Sequence, residues 1–391
     1  MRGGDKSHDL IKRRLVLFFP GFEPLGAEKH RQRFERAALK SAPLYDAEIS
    51  CGPLVETEDG LPEFKVFAKG KTWETTTDFV IFDWSGILEE FEARSIFMRY
   101  FLGLKALLTF ALNGTLAAYL KTSWRYGFFF FYPLILIAAA CLTGWLVGSY
   151  ISYYTNILVG FLTALIVTGT LLWLGAQKAH LLLMMDDWAF AASISTGLRI
   201  DGASIPYRFR IAFERLTTGS RHDEILVFAH SLGAVFAVDA LGAALTKIPD
   251  LKINFMTAGS SLMKIALNPD AKSLRESVKT IVKSSTKWGD WQALTDVISF
   301  YGSNPAMSLG IAVGTVPSTI YVRFRHMLSA LTYGKQKRNL FRTHRQFVLA
   351  AETRYPYSFH LIAAGPVAFA TILANNGLPA GDLGMAKEPH S

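Results

Sequence analysis

The stretch with the clearest chemical content is Asp223-Glu224-Ile225-Leu226-Val227-Phe228-Ala229-His230-Ser231-Leu232-Gly233-Ala234-Val235. An apolar run of strand character leads into Ala-His-Ser-Leu-Gly, and an alanine-rich segment of helical character follows. A serine with small residues two positions before and after it fits a sharp strand-to-helix turn, where larger side chains collide with the neighbouring backbone. Such a turn presents the hydroxyl beside the free N–H groups of a helix start, which suits nucleophilic attack on an acyl carbonyl. The pattern is a relaxed Gly-x-Ser-x-Gly with Ala229 at the first glycine, the mildest replacement there. A second copy, Ala306-Met307-Ser308-Leu309-Gly310, follows Gly302-Ser303-Asn304-Pro305, a turn rather than a strand. Ser231 is therefore the candidate nucleophile and Ser308 is not. The alternative for Ser231 is a capping serine at an ordinary buried turn.

The elements that must position this serine alternate between strand and helix. Arg14 to Phe19 is a compact apolar run ended by Pro20-Gly21, as for a buried strand, and Ala27 to Lys40 is helix-prone. Further strands are expected at Ala47–Cys51, Phe64–Ala68, Asp78–Phe82, Glu224–Phe228, Lys252–Met256, Trp288–Leu294 and Thr319–Phe324. Helices are expected at Pro206–Thr217 and from Leu232 to about Thr246. Strands separated by helices predict an α/β fold with a mostly parallel, doubly wound sheet.

With these elements around Ser231, the chain resembles the α/β-hydrolases, the superfamily of esterases, lipases and peptidases built on a Ser, acid, His triad. The resemblance covers most of the chain outside one apolar segment, and in combination with that segment it extends to uncharacterised membrane-anchored bacterial members. It implies that an acid and a histidine follow the serine in that order. Asp296 is the first acid beyond the Trp288–Leu294 strand; Asp290 falls before or within that strand, and Asp270 follows the preceding one. His344, beyond the last strand and a basic loop, is the favoured histidine, with a helix expected to begin near it. His360 and His326 stay open as alternatives. The resemblance also implies two oxyanion donors, the backbone N–H of Leu232 and one from the turn Pro20-Gly21-Phe22-Glu23-Pro24, assigned to Phe22 by position. A plain Pro-Gly turn is the alternative there.

The apolar segment sets the location. The 391 residues carry a net charge of +9, yet the 52 residues from Tyr126 to Gln177 hold no Asp, Glu, Lys or Arg. One bilayer crossing takes about 20 apolar residues, so two spans are expected, about Phe128–Tyr150 and Thr155–Ala176, with a tyrosine-rich turn over Ser149–Asn156. A pair of buried helices is the alternative. Lys105, Lys121 and Arg125 before the hairpin, with Lys178 after it, predict that both outer ends face the cytoplasm. The charged stretch Met1–Arg14 lacks the apolar run and cleavage site of a signal peptide, so none is expected. Cys51 and Cys141 are the only cysteines, so no disulfide framework is expected. The apolar stretch Phe97–Leu120 contains Arg99 and Lys105 and reads as one interfacial, re-entrant or lid helix; a third full span would invert the parity of the flanks.

The chain thus divides into the first part of a hydrolase domain (1–96), an interfacial or lid helix (97–125), a transmembrane hairpin (126–177), the second part of the domain (178–377) and a loose tail (378–391). Lys335, Lys337, Arg338, Arg342 and Arg345 put five positive charges in eleven residues, suited to anionic headgroups or to a plain solvated loop. No nucleic-acid motif accompanies the charge. No cofactor is expected: there is no P-loop, no Gly-x-Gly-x-x-Gly, and no metal-ligand spacing among His8, His30, His180 and His222. Asp186-Asp187 reads as a helix start. The expectation is a membrane-anchored serine hydrolase acting on acyl esters, with the bilayer and a lipid-like ester as partners. The alternative is a non-catalytic membrane scaffold.

Overall fold

The computed structural model describes residues 10–195, 204–311, 314–380 and Leu383. Nine strands form one sheet: β1 (Arg13–Phe19), β2 (Glu48–Cys51), β3 (Val55–Glu56), β4 (Pro62–Lys69), β5 (Glu74–Ile81), β6 (Glu224–His230), β7 (Asn254–Ala258), β8 (Lys287–Ala293) and β9 (Ser318–Val322). Their order is β2-β4-β5-β1-β6-β7-β8-β9, with β3 pairing β4 at the edge. From β5 to β9 every neighbour is parallel, whereas β2, β3 and β5 pair β4 antiparallel. The fold is therefore α/β with a mixed, mostly parallel sheet.

Burial follows from that topology. The β6 residues are all buried, and so are those of β1 and β8 after the first, because helices cover both faces of a parallel sheet. In β4, at the antiparallel edge, buried and exposed side chains alternate along its second half. Leu15, Leu17 and Phe19 of β1 point to one face and Val16 and Phe18 to the other, so each face has its own core. Phe18 stacks on Phe228 with centroids 5.5 Å apart, and Phe19 stacks on Phe82 at 4.2 Å. Burying each such ring stabilises the fold by about 1.5–3 kcal/mol.

The helices before the second half of the sheet are α1 (Ala27–Ser41), α2 (Ser85–Glu92), α3 (Ile96–Leu112), α4 (Thr115–Thr122), α5 (Trp124–Phe130), α6 (Tyr132–Tyr154), α7 (Ile157–Lys178), α8 (Leu181–Ser195) and α9 (Ser204–Thr217). After β6 come α10 (Gly233–Lys247), α11 (Leu262–Ala266), α12 (Lys272–Lys283), α13 (Pro305–Ser308), α14 (Ala330–Gln336), α15 (Leu340–His344), α16 (Phe359–Ala364) and α17 (Phe369–Ala374).

Two helical stretches, Trp124–Tyr154 and Ile157–Lys178, are long and apolar enough to cross a bilayer. They form a hairpin held by close backbone approach. A Cβ on Gly144 or Gly148 of α6 would meet the Ala164 or Gly160 carbonyl oxygen of α7, so only glycine fits. Their outer faces display side chains such as Trp145 and Ile166, 62% and 69% exposed. The expected turn over Ser149–Asn156 is shorter: helix continues through Tyr154, and the chain reverses at Thr155-Asn156, where Asn156 caps α7 through its side chain. Apolar tyrosines continue a helix as readily as they border one, and the capping asparagine is the real stop signal.

The expected single helix over Phe97–Leu120 is two helices, α3 and α4, broken at Asn113-Gly114, where Gly114 takes φ +82°. One face of α3 packs on α8, with Arg99 bonded to Asp186, while Phe97, Phe101, Leu108 and Leu112 are exposed. With α2 it forms a pair bent by 112°. Asp186 and Asp187 lie in the second turn of α8, not at a helix start, because each has a cation to face: Arg99 and Lys264. The start of the expected tail is packed: Leu378 and Leu383 are buried, and Leu378 N–H donates to Pro356 O at 2.7 Å. Residues 381–382 and 384–391 of that tail, His390 among them, and the first nine residues lie outside the described residues.

Candidate active site

Ser231 follows the last residue of β6 and has φ +54°, in the left-handed region that non-glycine residues occupy rarely and at some cost in strain. Three local features hold it there. Its N–H reaches Ala258 O at 3.3 Å and its carbonyl accepts from Ser261 N–H at 3.1 Å, which ties the turn to the end of β7. Gly233 begins α10 against β1, and a Cβ on it would overlap the Phe19 and Pro20 carbonyl oxygens. Gly21 passes so close that a Cβ on it would lie 2.9 Å from that of Ser231. Ala229, at the relaxed position, is fully buried between Phe19 and Thr257 of the neighbouring strands, where its methyl group fits.

Asp296 lies in the loop after β8 and is fully buried. Its Oδ2 meets Nδ1 of His344 at 2.8 Å, and its Oδ1 accepts the Ile298 N–H at 3.0 Å. Burial pushes the Asp296 carboxyl up, but the facing imidazole and the Ile298 N–H outweigh it and hold the group below its ordinary value. The aspartate is thus an anion that fixes the Nδ1–H tautomer of His344. His344 ends α15 rather than beginning a helix, and the chain continues directly into the 3-10 turn Arg345–Val348. Its Nε2 is buried and, among the described residues, has no hydrogen-bond partner. Gly259, at φ +56°, lets the end of β7 pass this ring; a Cβ there would lie 3.2 Å from His344 Cε1.

Ser231 and His344 border two adjoining cavities, an inner and an outer lobe, whose walls share Phe22, Leu183 and Phe341. A narrow inner lobe is walled by Phe22, Phe129, Met184, Leu232 and Ile298. A wider outer lobe of about 250 Å³ is bordered by Glu23, His180, Leu183, His230, Phe341 and Arg345. Among the described residues, the N–H groups of Phe22 and Leu232, which flank Ser231 here, donate to no other group. Ser231 Oγ itself rests 3.4 Å from Ser261 Oγ.

Three polar residues of this site carry no signal that sequence reasoning used. His230 is buried, and its Nε2 meets the His344 carbonyl at 3.2 Å; since a carbonyl only accepts, Nε2 is the protonated nitrogen. Burial, helped by His344, pushes His230 down to about 3, so it is neutral. Its Nδ1 has no partner among the described residues, nor has Glu23 Oε1. Glu23 Oε2 takes Arg33 at 2.6 Å; burial pushes the carboxyl up, and Arg33, with Arg345 behind it, outweighs that and holds it low. Ser261 supplies the resting contact for the candidate nucleophile. His230 sat inside the motif, and its adjacency to Ser231 was the one available clue.

The alternatives lie elsewhere. His360 is fully buried in the core of the opposite face, 5.0 Å from the Phe34 ring, and burial pushes it down to about 3. His326 is exposed in the 3-10 turn Phe324–His326 and bonds Arg325. Asp290 is within β8, bonded to Thr257 at 2.6 Å and Gln292 at 2.7 Å, and burial pushes it up to about 6. Asp270 is exposed before α12. Ser308 ends α13, where its Oγ accepts the Asn304 N–H at 3.2 Å. Among the described residues, no cluster of three His, Cys, Asp or Glu side chains is placed to hold a metal ion. No protein family, curated protein or solved structure matches this chain.

Proposed function

We propose that this chain is a membrane-anchored serine hydrolase, on a sheet of the α/β-hydrolase type, that cleaves acyl esters of lipid-like substrates. One observation carries the reading: a left-handed serine after a buried parallel strand shares a cavity with a buried aspartate–histidine pair whose Nε2 has no partner among the described residues. Ser231 Oγ turns from Ser261 towards His344 Nε2, gives it the hydroxyl proton and bonds to the ester carbonyl carbon. The carbonyl electrons move to oxygen, where the Leu232 and Phe22 N–H groups receive them. Collapse of the tetrahedral adduct breaks the bond to the alcohol, which leaves with the proton from Nε2. Water, deprotonated by the same nitrogen, then frees the acid and restores Ser231. Asp296 orients the ring and stabilises the imidazolium formed in each half. The cycle calls for no cofactor.

The hairpin anchors this chemistry at a bilayer, and the exposed apolar row on α3 suits an interfacial position beside it. The flanking Lys105, Lys121, Arg125 and Lys178 favour the cytoplasmic side for the α/β body. The scaffold reading draws on a different observation, the Ser231 hydroxyl resting on Ser261 rather than on His344. A fluorophosphonate probe separates the two. In detergent-solubilised protein of normal thermal stability, the probe is expected to label the natural chain and not Ser231→Ala. Absence of labelling in the folded natural chain sinks the enzyme reading.

A further inference from the structure

We propose that the ester taken at this site is an anionic membrane lipid, whose charged headgroup is read at the cavity mouth by Arg345. This rests on the hydrolase reading above and adds the substrate class. The charges bordering the two lobes, Asp187 with Lys264 and Glu23 with Arg345, are equal in number but not equally well paired. In the inner lobe Asp187 is matched by Lys264, a buried ion pair complete in itself. In the outer lobe Glu23 Oε2 is matched by Arg33 at 2.6 Å, and Arg345 lies 4.0 Å from that same oxygen. Arg345 spends its Nε on Phe341 O at 3.3 Å, and its side chain is 38% exposed. His230 is neutral, and burial with Arg345 beside it pushes His180 down as well. Arg345 is thus the loosely held, half-exposed partner of Glu23, and its planar fork is suited to phosphate or carboxylate.

Two further observations tie this cation to a membrane. Phe341, one turn before Arg345, packs against His180 with centroids 4.5 Å apart, and His180 lies two residues beyond the end of α7. The cavity mouth is therefore at the foot of the hairpin, where headgroups begin. Outward from Arg345 the charge continues through exposed Arg342, Arg338, Lys337 and Lys335, and no Asp or Glu occurs between Ala330 and Ala351. The inner lobe, about 50 Å³ and walled by Phe22, Tyr126 and Phe129, takes only the first carbons of the acyl chain, and the anion is assigned to the alcohol half beside Arg345 in the larger lobe. Arg345 is a specificity-determining residue rather than a member of the Ser231–His344–Asp296 set.

The test uses the full chain in phosphatidylcholine vesicles, with esters sharing one long acyl chain: 1-acylglycerol 3-phosphate and neutral 1-acylglycerol. About a tenfold preference in kcat/KM for the anionic ester is expected, equivalent to about 1.4 kcal/mol. Arg345→Gln should bring the ratio towards one and Arg345→Lys should retain part of it. A water-soluble, short-chain acylglycerol phosphate should be a poor substrate; if it matches the lipid, the anion is read but the membrane source is wrong. Equal rates on the two long-chain esters, or a ratio unmoved in folded Arg345→Gln, overturn the proposal while leaving the hydrolase reading intact. If no ester is cleaved and no probe label appears, the hydrolase reading fails separately. Binding is then read by thermal shift of Ser231→Ala, where equal stabilisation by both lipids overturns the proposal.

Discussion

The two ends of the parallel strands each bury an acid against a base, and they use it in opposite ways. At the amino ends, Arg14 of β1 meets Glu224 of β6 at 2.7 Å. Its remaining donors reach Gly365 O at 2.7 Å and Val367 O at 2.8 Å, while Glu224 Oε1 accepts from Asn254 at 3.0 Å and Phe369 N–H at 2.8 Å. Every strong partner is supplied from within, so the pair ties the last helices to the sheet. At the carboxyl ends, the Asp296–His344 pair is as well buried, yet among the described residues His344 Nε2, His230 Nδ1 and Glu23 Oε1 are left without partners. Buried polar atoms without partners cost stability, and although others, such as both ring nitrogens of His360, lie in the opposite core, here three of them converge beside Ser231. The saturated pair is architectural; the unsaturated one borders a cavity, and it lies where open α/β sheets bind ligands.

That contrast can be broken at either end. The largest effect is expected from Asp296→Asn, which keeps the shape but favours the wrong His344 tautomer. Ester hydrolysis should fall by about four orders of magnitude with little change in thermal stability. A loss under tenfold would remove Asp296 from the mechanism. At the other end Glu224→Ala strands the Arg14 guanidinium in the core. Denaturant unfolding should show a loss of about 3–5 kcal/mol, and activity should decline only as the folded fraction does. If activity falls while the fold holds, the two ends are not separate in role.

The smallest effect sharpens the comparison among histidines. Burial pushes His360 in the folded chain down to about 3, below its unfolded value near 6.5. A depressed folded value means that the unfolded chain binds the proton first. The stability this group contributes is therefore present above about pH 6.5 and is lost as pH falls from there towards 3, by about 1.4 kcal/mol per pH unit. In urea unfolding between pH 7 and pH 5, His360→Phe should flatten that slope and leave hydrolysis in place. An unchanged slope would assign the acid sensitivity to His230 and His30, which burial also pushes down, to about 3 and about 4.

Much of the framework was legible because it is written in local pattern. The run Arg14–Phe19, ended by Pro20-Gly21, is β1 within one residue, and the strand before Ser231 and the helix after it lie where the hydrophobic period puts them. The 52 uncharged residues need no partner to declare two apolar helices. The errors also have local causes. The break at Asn113-Gly114 was overridden by the apolar composition around it, although Asn-Gly is a breaker signal. Asp186-Asp187 reads as a helix start until Arg99 and Lys264, far away in sequence, are known to face it.

Composition and period by themselves determined the class of fold, the apolar hairpin and a serine flanked by small residues between a strand and a helix. Those features depend on neighbours a few residues apart, and the hydrophobic effect acts on them before any tertiary contact forms. Only the tertiary structure decided that Asp296 faces His344 rather than His360 or His326, that His230 holds the His344 backbone, and that Arg345 stands half-exposed beside Glu23 in the outer lobe. These contacts join residues 48 positions apart in one case and 114 in another. Their geometry is set by strand order and crossover packing, which one sequence implies but does not spell out.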